Sequence, residues 1–364
     1  MTRAKSKTKA GRLKKLTLGI NFILIILLLL AYATPHVPVE KWGWLSLLAL
    51  AYPFILFANI LFAIGWIFFR SWFALLSLLT LLGGIGLHQK YIQLLPSLKS
   101  SSGCDESIRL ISYNMRGLSL VPVEKNDGIS VKIDSLYNAL TNLKEYPDII
   151  CLQEAYRGDL IAKKFGLEHS IHGPKSSLWL LSRYPIERSG KVDGAEASPS
   201  AMWADIRTPQ GVLRVYNMHL VSNRVTTTTE ELIQDMDLQN ENTWNNIKFI
   251  VYRYRHTTQK RAKEAKTLRE HMASCKYPVI IAGDGNDTPL SNTYNVLKAG
   301  LNDSFEEKGF GISTTYESAL PLLRIDYLLG TGEILFKDHS THHITYSDHY
   351  PISAGVCIQT NTGS

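Results

Sequence analysis

Two patterns of hydrophobic and polar positions divide this chain shortly after residue 100. Before that point the apolar residues come in long unbroken runs. Leu16–Ala33 has only Thr17 and Asn21 polar, Trp42–Phe69 carries no charge, and Trp72–Leu87 is a third run ending at His88-Gln89-Lys90. Runs of this length predict helices able to cross the roughly 30 Å of hydrocarbon in a bilayer, the third slightly short unless it extends towards Tyr91. Trp and Tyr at the run ends suit the interface between lipid and water. A cleaved signal peptide would account for the first run, and a buried helical hairpin for the other two. Three successive runs with no small-residue cleavage site favour membrane spans instead.

Beyond Ser107 the runs become short, rich in β-branched and aromatic residues, and separated by turn residues. Ile108–Tyr113, Pro147–Leu152, Trp179–Leu181, Val212–Met218, Pro278–Ala282 and Arg324–Leu329 predict strands. Lys132–Lys144 instead spaces Ile133, Leu136, Leu140 and Leu143 at helical intervals. Strands interspersed with helices predict a layered α/β domain. The organisation expected is a basic tail over residues 1–15, a membrane anchor of about three transmembrane helices over 16–95, a linker over 96–106, and one domain over 107–358.

Charge sharpens this picture. Formal charge is +7, but the first fifteen residues hold seven basic side chains and no acid. Residues 16–103 add a further +3, which leaves −3 for Cys104 to Ser364. The basic balance therefore belongs to the tail and is no nucleic-acid signature for the domain. By the positive-inside rule the tail is cytoplasmic, and Arg70 again lies inside. Three crossings would put the domain outside the cytoplasm, in a multi-pass protein of the plasma (inner) membrane. The four cysteines, Cys104, Cys151, Cys275 and Cys357, lack metal-ligand spacing and allow a disulfide without selecting a pair.

The candidate chemistry sits at the ends of the apolar runs. Asn114, Glu154, His219, Asp284 with Asn286, Asp326, and Asp348 with His349 each follow or open a strand-like segment. Singly, any of them is explained by a turn or a strand cap. Together they place at successive strand ends polar residues able to bind a metal ion or a phosphate, in a combination that chance rarely produces. Glu154 is a hard carboxylate suited to Mg²⁺ or Mn²⁺, with Asn114 as a neutral oxygen and Asp348 as a direct or water-bridged third ligand. A histidine beside one carboxylate and within reach of another is a general-base arrangement. Arg116 is either a phosphate contact or a solvated arginine, and Asn217 either a phosphate contact or a strand-end cap.

The pieces Tyr113-Asn114, Gln153-Glu154, Leu181-Ser182-Arg183-Tyr184-Pro185-Ile186, Asn217-Met218-His219-Leu220, Gly283-Asp284-Gly285-Asn286-Asp287, Arg324-Ile325-Asp326-Tyr327 and Ser347-Asp348-His349 occur in this order. In combination they resemble the endonuclease/exonuclease/phosphatase superfamily, which includes deoxyribonucleases, abasic-site endonucleases, neutral sphingomyelinases and inositol polyphosphate phosphatases. The resemblance implies a four-layer α/β sandwich, two packed β-sheets flanked by helices. It implies that Asp326 orients His349, that Asp284 and Asn286 hold the attacking water or the phosphate, and that His219 faces the phosphate from the opposite side. Which of Asp284 and His349 takes the proton stays open, since the two titrate together. Gly285 departs from the bulky residue usual there. The Asn-x-His-Leu setting of His219 is similar to the deoxyribonuclease and sphingomyelinase branches.

One further stretch bears on substrate. Lys248–His271 holds eight cations against Glu264 and Glu270, with Phe249, Tyr252 and Tyr254 interleaved. It reads either as a solvated helical face above buried Ala262, Ala265, Leu268 and Met272, or as a surface for an anionic substrate or membrane. Thr226–Glu231 reads as a helix start before it. The expected activity is metal-dependent phosphodiester hydrolysis, on nucleic acid or on a phospholipid head group. The alternative is an inactive membrane scaffold on the same fold.

Overall fold

The computed structural model describes residues 2–94, 106–122, 128–173, 176–193, 200–223, 240–318 and 322–359. The linker and the Thr226–Glu231 helix start fall largely or wholly outside them. In chain order the strands are β1 (Ile92–Gln93), β2 (Ile108–Asn114), β3 (Ile149–Gln153), β4 (His169–His172) and β5 (Trp179–Ser182). Next come β6 (Ile186–Val192), β7 (Ala201–Thr208), β8 (Gly211–His219), β9 (Val279–Asp284) and β10 (Asn302–Asp303). The last are β11 (Gly311–Ile312), β12 (Asp326–Gly330), β13 (Ile334–Phe336), β14 (Ser340–Thr341) and β15 (Ile352–Ile358).

All but β1 and β11, which pair with each other, form two large sheets with matching centres. One runs β13-β15-β2-β3-β5-β4, with β14 also on β15, and the other β10-β12-β9-β8-β7-β6. In each, one parallel pair (β2 with β3, β8 with β9) is flanked by antiparallel neighbours. Side chains alternate across a strand, so each sheet offers one face to the other and one to a helical layer. Leu110, Cys151, Leu180, Val215, Ala282, Leu328 and Ala354 meet between the sheets. Helices Ile129–Asn142 and Gly158–Phe165 cover the outer face of the first through Ile133, Leu136, Leu140 and Ile161. The long helix Glu241–Ala273 covers the second with Ala265, Leu268 and Met272 turned inwards. The Ser182–Ile186 corner is a turn, closed by the Ser182 hydroxyl on the Tyr184 backbone and by an Arg183–Asp148 ion pair.

The N-terminal region forms a helical bundle. Helices Thr2–Ala33, Ser46–Phe68 and Ala74–Gly83 pack together, with Asn21, Asn59 and Ser77 buried among them. Ser77 donates to Asn21 and Asn59 donates to the Leu24 carbonyl. Outside, Leu16, Phe22, Ile23, Phe57, Ile64, Phe68 and Leu79 are all more than half exposed. The bundle thus buries a few polar side chains beside Leu28, Ala49, Tyr52 and Leu56 and turns large apolar ones outwards.

Among the described residues two helices, Lys14–His36 and Val39–Phe68, are long and apolar enough to cross a membrane, against the three expected. The third run breaks at Gly83-Gly84, giving a ten-residue helix and then the short helix Ile85–His88. Ten residues rise about 15 Å, half a bilayer core. At the break the helix packs closely on Tyr32, and a Cβ on Gly84 would lie 2.2 Å from that ring. Ala74–His88 nevertheless runs back along the bundle, from Phe73 beside Lys14 to His88 beside Tyr32 and Tyr52. Cys357 is disulfide-bonded, while Cys151 and Cys275 are free.

Candidate active site

Strand polarity brings the candidate residues to one rim. The parallel pairs end together there, β2 at Asn114, β3 just before Glu154, β8 at His219 and β9 at Asp284. The antiparallel strands start there, with Asp326 opposite Asp284 and Ile352 opposite Ser112. The turn before β15 is tied over β2 by the Ser347 hydroxyl, which donates to the Asn114 carbonyl at 2.9 Å. That turn carries Asp348 and His349.

Asp284 is the hub. Its Oδ2 accepts from the amides of Asn114 and Asn286, both at 3.0 Å, and its Oδ1 from the Asn286 backbone N–H at 2.7 Å. The Nε2 atoms of His219 and His349 each lie 3.7 Å from Oδ2. His349 turns Nδ1 to the two Asp326 oxygens at 3.0 and 3.2 Å. Asp326 is set by the Thr315 hydroxyl, which accepts its backbone N–H. The Tyr316 ring meets the imidazole edge-on with centroids 4.8 Å apart. Glu154 stands at the open side, its carboxylate 3.6 Å from His219 Nε2 and 3.4 Å from the Asn114 amide.

Backbone geometry underlines the site. Glu154 and Asn286 both hold positive φ, near 50°, a left-handed conformation that non-glycine residues adopt at a cost. Gly283 has φ +133°, and a Cβ there would fall 2.1 Å from the Met218 carbonyl oxygen, so only glycine lets β9 pair with β8 beside Asp284. At Gly285 the Tyr327 ring leaves a side chain little room, since a Cβ would fall 3.1 Å from it.

Burial and charge set the protonation states. Burial pushes the Asp284 carboxyl up to about 6; the two histidines pull against this and Asp326 adds to it. Burial acts to lower the His349 imidazole, but the charges of Asp326 and Asp284 outweigh it and lift the group to about 9. Near neutral pH the pair is therefore a carboxylate at Asp284 beside an imidazolium at His349.

Two substrate candidates read differently in the structure. Asn217 is fully buried; its amide donates to the Leu152 and Trp179 carbonyls, both at 2.8 Å, and accepts from Gln153 at 2.6 Å. Both of its amide N–H donors tie one sheet to the other, which favours the structural reading of Asn217 over a phosphate contact. Arg116 lies at the rim and pairs with Asp348 at 2.9 Å. Asp348 accepts from Arg116 through Oδ2 and from the Ser347 hydroxyl through Oδ1. Gln153 and Ser347, which lie within the quoted motifs, also support the site, as do Thr315 and Tyr316, which had no sequence signal of their own.

The donors suit a hard divalent cation. The Glu154 side chain is 40% exposed, and with Asn114 and Asp284 it makes an oxygen-rich edge. Asp284, Asp326 and His349 also bring ligand atoms within 4.8 Å of one another. An ion among those three would displace the Asp326–His349 bond, so the Glu154 edge is the better seat.

Comparison with known proteins follows this geometry. Residues 111–349 match the Endonuclease/Exonuclease/phosphatase family, and residues 14–91 match a domain of unknown function, DUF8431. No curated protein sequence matches the chain. Among solved structures, an endonuclease/exonuclease/phosphatase family protein from Bacteroides thetaiotaomicron is 15% identical, covers 70% of this chain and 98% of its own, and superposes with a TM-score of 0.51. The mannosyl-6-phosphatase Bt3783 of the same organism is 16% identical over 69% of this chain and 100% of its own, at 0.48. Truncated TDP2 from Caenorhabditis elegans is 17% identical over 69% and 97%, at 0.47. The family match spans more than half of the chain and includes every rim residue from Asn114 to His349, and the chain belongs to the endonuclease/exonuclease/phosphatase family, whose hydrolases act on phosphoester bonds.

Proposed function

We propose that this chain is a membrane-anchored, metal-dependent phosphodiesterase acting on phospholipid head groups at the bilayer surface. The observation that carries the reading is the convergence on Asp284, where two amides and two imidazoles surround one buried carboxylate and Glu154 stands across from it. A bound Mg²⁺ or Mn²⁺ would polarise a phosphoryl oxygen. Glu154 and Asn114 are the residues to hold it. Asp284, a carboxylate above about pH 6, accepts the proton of the attacking water, which Asn286 helps to fix. His349, held cationic by Asp326, faces the charge that builds on the phosphoryl oxygens, and His219 approaches from the Glu154 side.

Location favours a lipid over a nucleic acid. The bundle meets the domain at the active-site rim, so the site opens beside the surface from which the helices emerge. The exposed side chains Lys248, Tyr252 and Arg255 continue a helical stripe to Gln259, which bonds the Val39 and Glu40 carbonyls next to Trp42 and Trp44. Such a stripe fits anionic head groups. The domain's charge of −3 suits extended polyanions poorly. Lys14 and Arg70 lie towards the bundle end remote from the domain, which with the positive-inside rule supports an extracytoplasmic site. The disulfide at Cys357 agrees with an oxidising compartment. An inactive scaffold would not need this complete set of residues.

The test is turnover by the full chain in nanodiscs, offered phosphatidylinositol, sphingomyelin, plasmid DNA and RNA with Mg²⁺ or chelator. Metal-dependent release of a head group, lost in His349→Ala, supports the reading. Preferential cleavage of DNA or RNA would replace the substrate class.

A further inference from the structure

We infer that the N-terminal helical unit is a positioning element of the active site, gripping the segment after Asp284 and the segment before Asp326. The inference rests on the catalytic reading of that rim. It gives residues 14–91 a role that membrane attachment alone does not require.

The first grip is on the loop leaving β9. Leu290, six residues past Asp284, is fully buried among Leu28, Ala49, Tyr52 and Tyr91 of the bundle. The Thr34 hydroxyl lies 2.8 Å from the Leu290 carbonyl, Thr288 donates to the Ala49 carbonyl at 3.3 Å, and Asn292 to the Pro35 carbonyl at 3.2 Å. On the site side the loop is pinned by Asp287, which accepts from Arg261 at 3.2 Å and from Thr293 at 2.9 Å. Only Gly285 and Asn286 separate that pinned residue from Asp284.

The second grip is on the approach to β12 and His349. Arg324, paired with buried Asp303, donates to the Lys90 carbonyl at 3.1 Å, two residues ahead of Asp326. β1 pairs with β11, and the Ser313 N–H donates to the Tyr91 carbonyl. From Ser313 the chain leads straight into the catalytic group. The Thr315 hydroxyl accepts the Asp326 N–H, its carbonyl accepts the Tyr350 N–H, and Tyr316 packs on His349. Both carboxylates that flank His349 are therefore indexed against the same helical bundle. Catalytic groups must be held within about 0.5 Å, and a misplacement of about 1 Å costs on the order of 100-fold in rate.

Two experiments on the full chain test this, with bis(p-nitrophenyl) phosphate and Mn²⁺ as the activity probe. Thr34→Val keeps the shape and removes the hydroxyl that the Ala31 carbonyl, at 2.7 Å, and the Leu290 carbonyl share, and Thr34→Ser keeps it. The valine variant is expected to lose roughly tenfold in kcat with KM within about twofold, and the serine variant to restore it. Independently, a protease site between residues 97 and 103 separates the bundle from the domain. After cleavage the halves should co-elute with kcat intact, lose it when forced apart, and regain it on remixing. A separated domain with full kcat, or Thr34→Val and Thr34→Ser both at wild-type kcat, would overturn the inference. An intact chain that hydrolyses no phosphodiester would remove the catalytic reading and this inference with it. Turnover unchanged by separation removes the inference alone.

Discussion

Replacing Asp326 by Asn tests the electrostatics of the site in isolation. The amide keeps the shape and an oxygen for the His349 Nδ1–H but removes the charge. His349 is lifted from an ordinary value near 6.5 to about 9 by Asp326 and Asp284 against the opposing effect of burial. A shift of about 2.5 units corresponds to about 3 kcal/mol favouring the imidazolium, of which Asp326, in direct contact, holds the larger share. The sign follows from the raised value: the cationic form is complete well below pH 9 and is lost as pH rises through it. In the variant that loss moves down towards pH 6.5. Wild type and variant should differ least near pH 6, and the ratio of kcat values should grow about tenfold per pH unit up to roughly 100-fold or more near pH 9. The assay is a pH–rate profile of the full chain with saturating metal, read as apparent values of a coupled set. A deficit constant across pH, or an alkaline limb still near 9, would refute the assignment of His349 as a cation held by Asp326.

Three further outcomes follow from other contacts. Asn217→Ala removes the two amide donors to the buried Leu152 and Trp179 carbonyls and one of the acceptors of the Gln153 amide, so chemical denaturation should show a loss of about 3 kcal/mol in stability with KM unchanged. Glu154→Gln should raise the Mg²⁺ concentration for half-maximal rate by at least about tenfold while leaving the melting temperature alone, since the side chain is partly exposed and makes few protein contacts. Burial holds His342 well below 6.5, at about 4, with its ring against the Ser353 hydroxyl. Its contribution is complete above pH 6.5 and falls by up to about 1.4 kcal/mol per unit as pH drops towards 4; His342→Gln should flatten that slope in thermal melts.

Much of the site was legible because strand ends advertise themselves. An apolar run that stops at Asn114, Glu154, His219 or Asp284 marks the point where a buried strand reaches a rim, and strand polarity then gathers those points. Depth along a strand was harder to read. Asn217 and His219 share a face of β8, but Asn217 sits two residues further in, where the opposite sheet surrounds it. β7 escaped detection because Asp205 interrupts its apolar pattern, and that acid is buried only through the bidentate grip of Arg214 on β8. β6 is an edge strand with few apolar residues, held by backbone pairing to β7. Length alone suggested a third span where Gly83-Gly84 breaks the helix under Tyr32. The docking of the bundle on the rim had no sequence signal, since Thr34, Thr288, Leu290 and Asn292 follow no periodicity.

The most direct measurement is hydrolysis of phosphatidylinositol and sphingomyelin by the full chain in nanodiscs, with Mg²⁺ and with chelator, beside His349→Ala. The account predicts head-group release that requires the metal and disappears in the variant. Release that survives chelation and the loss of His349, or a well-folded chain that turns over no phosphodiester at all, would contradict it.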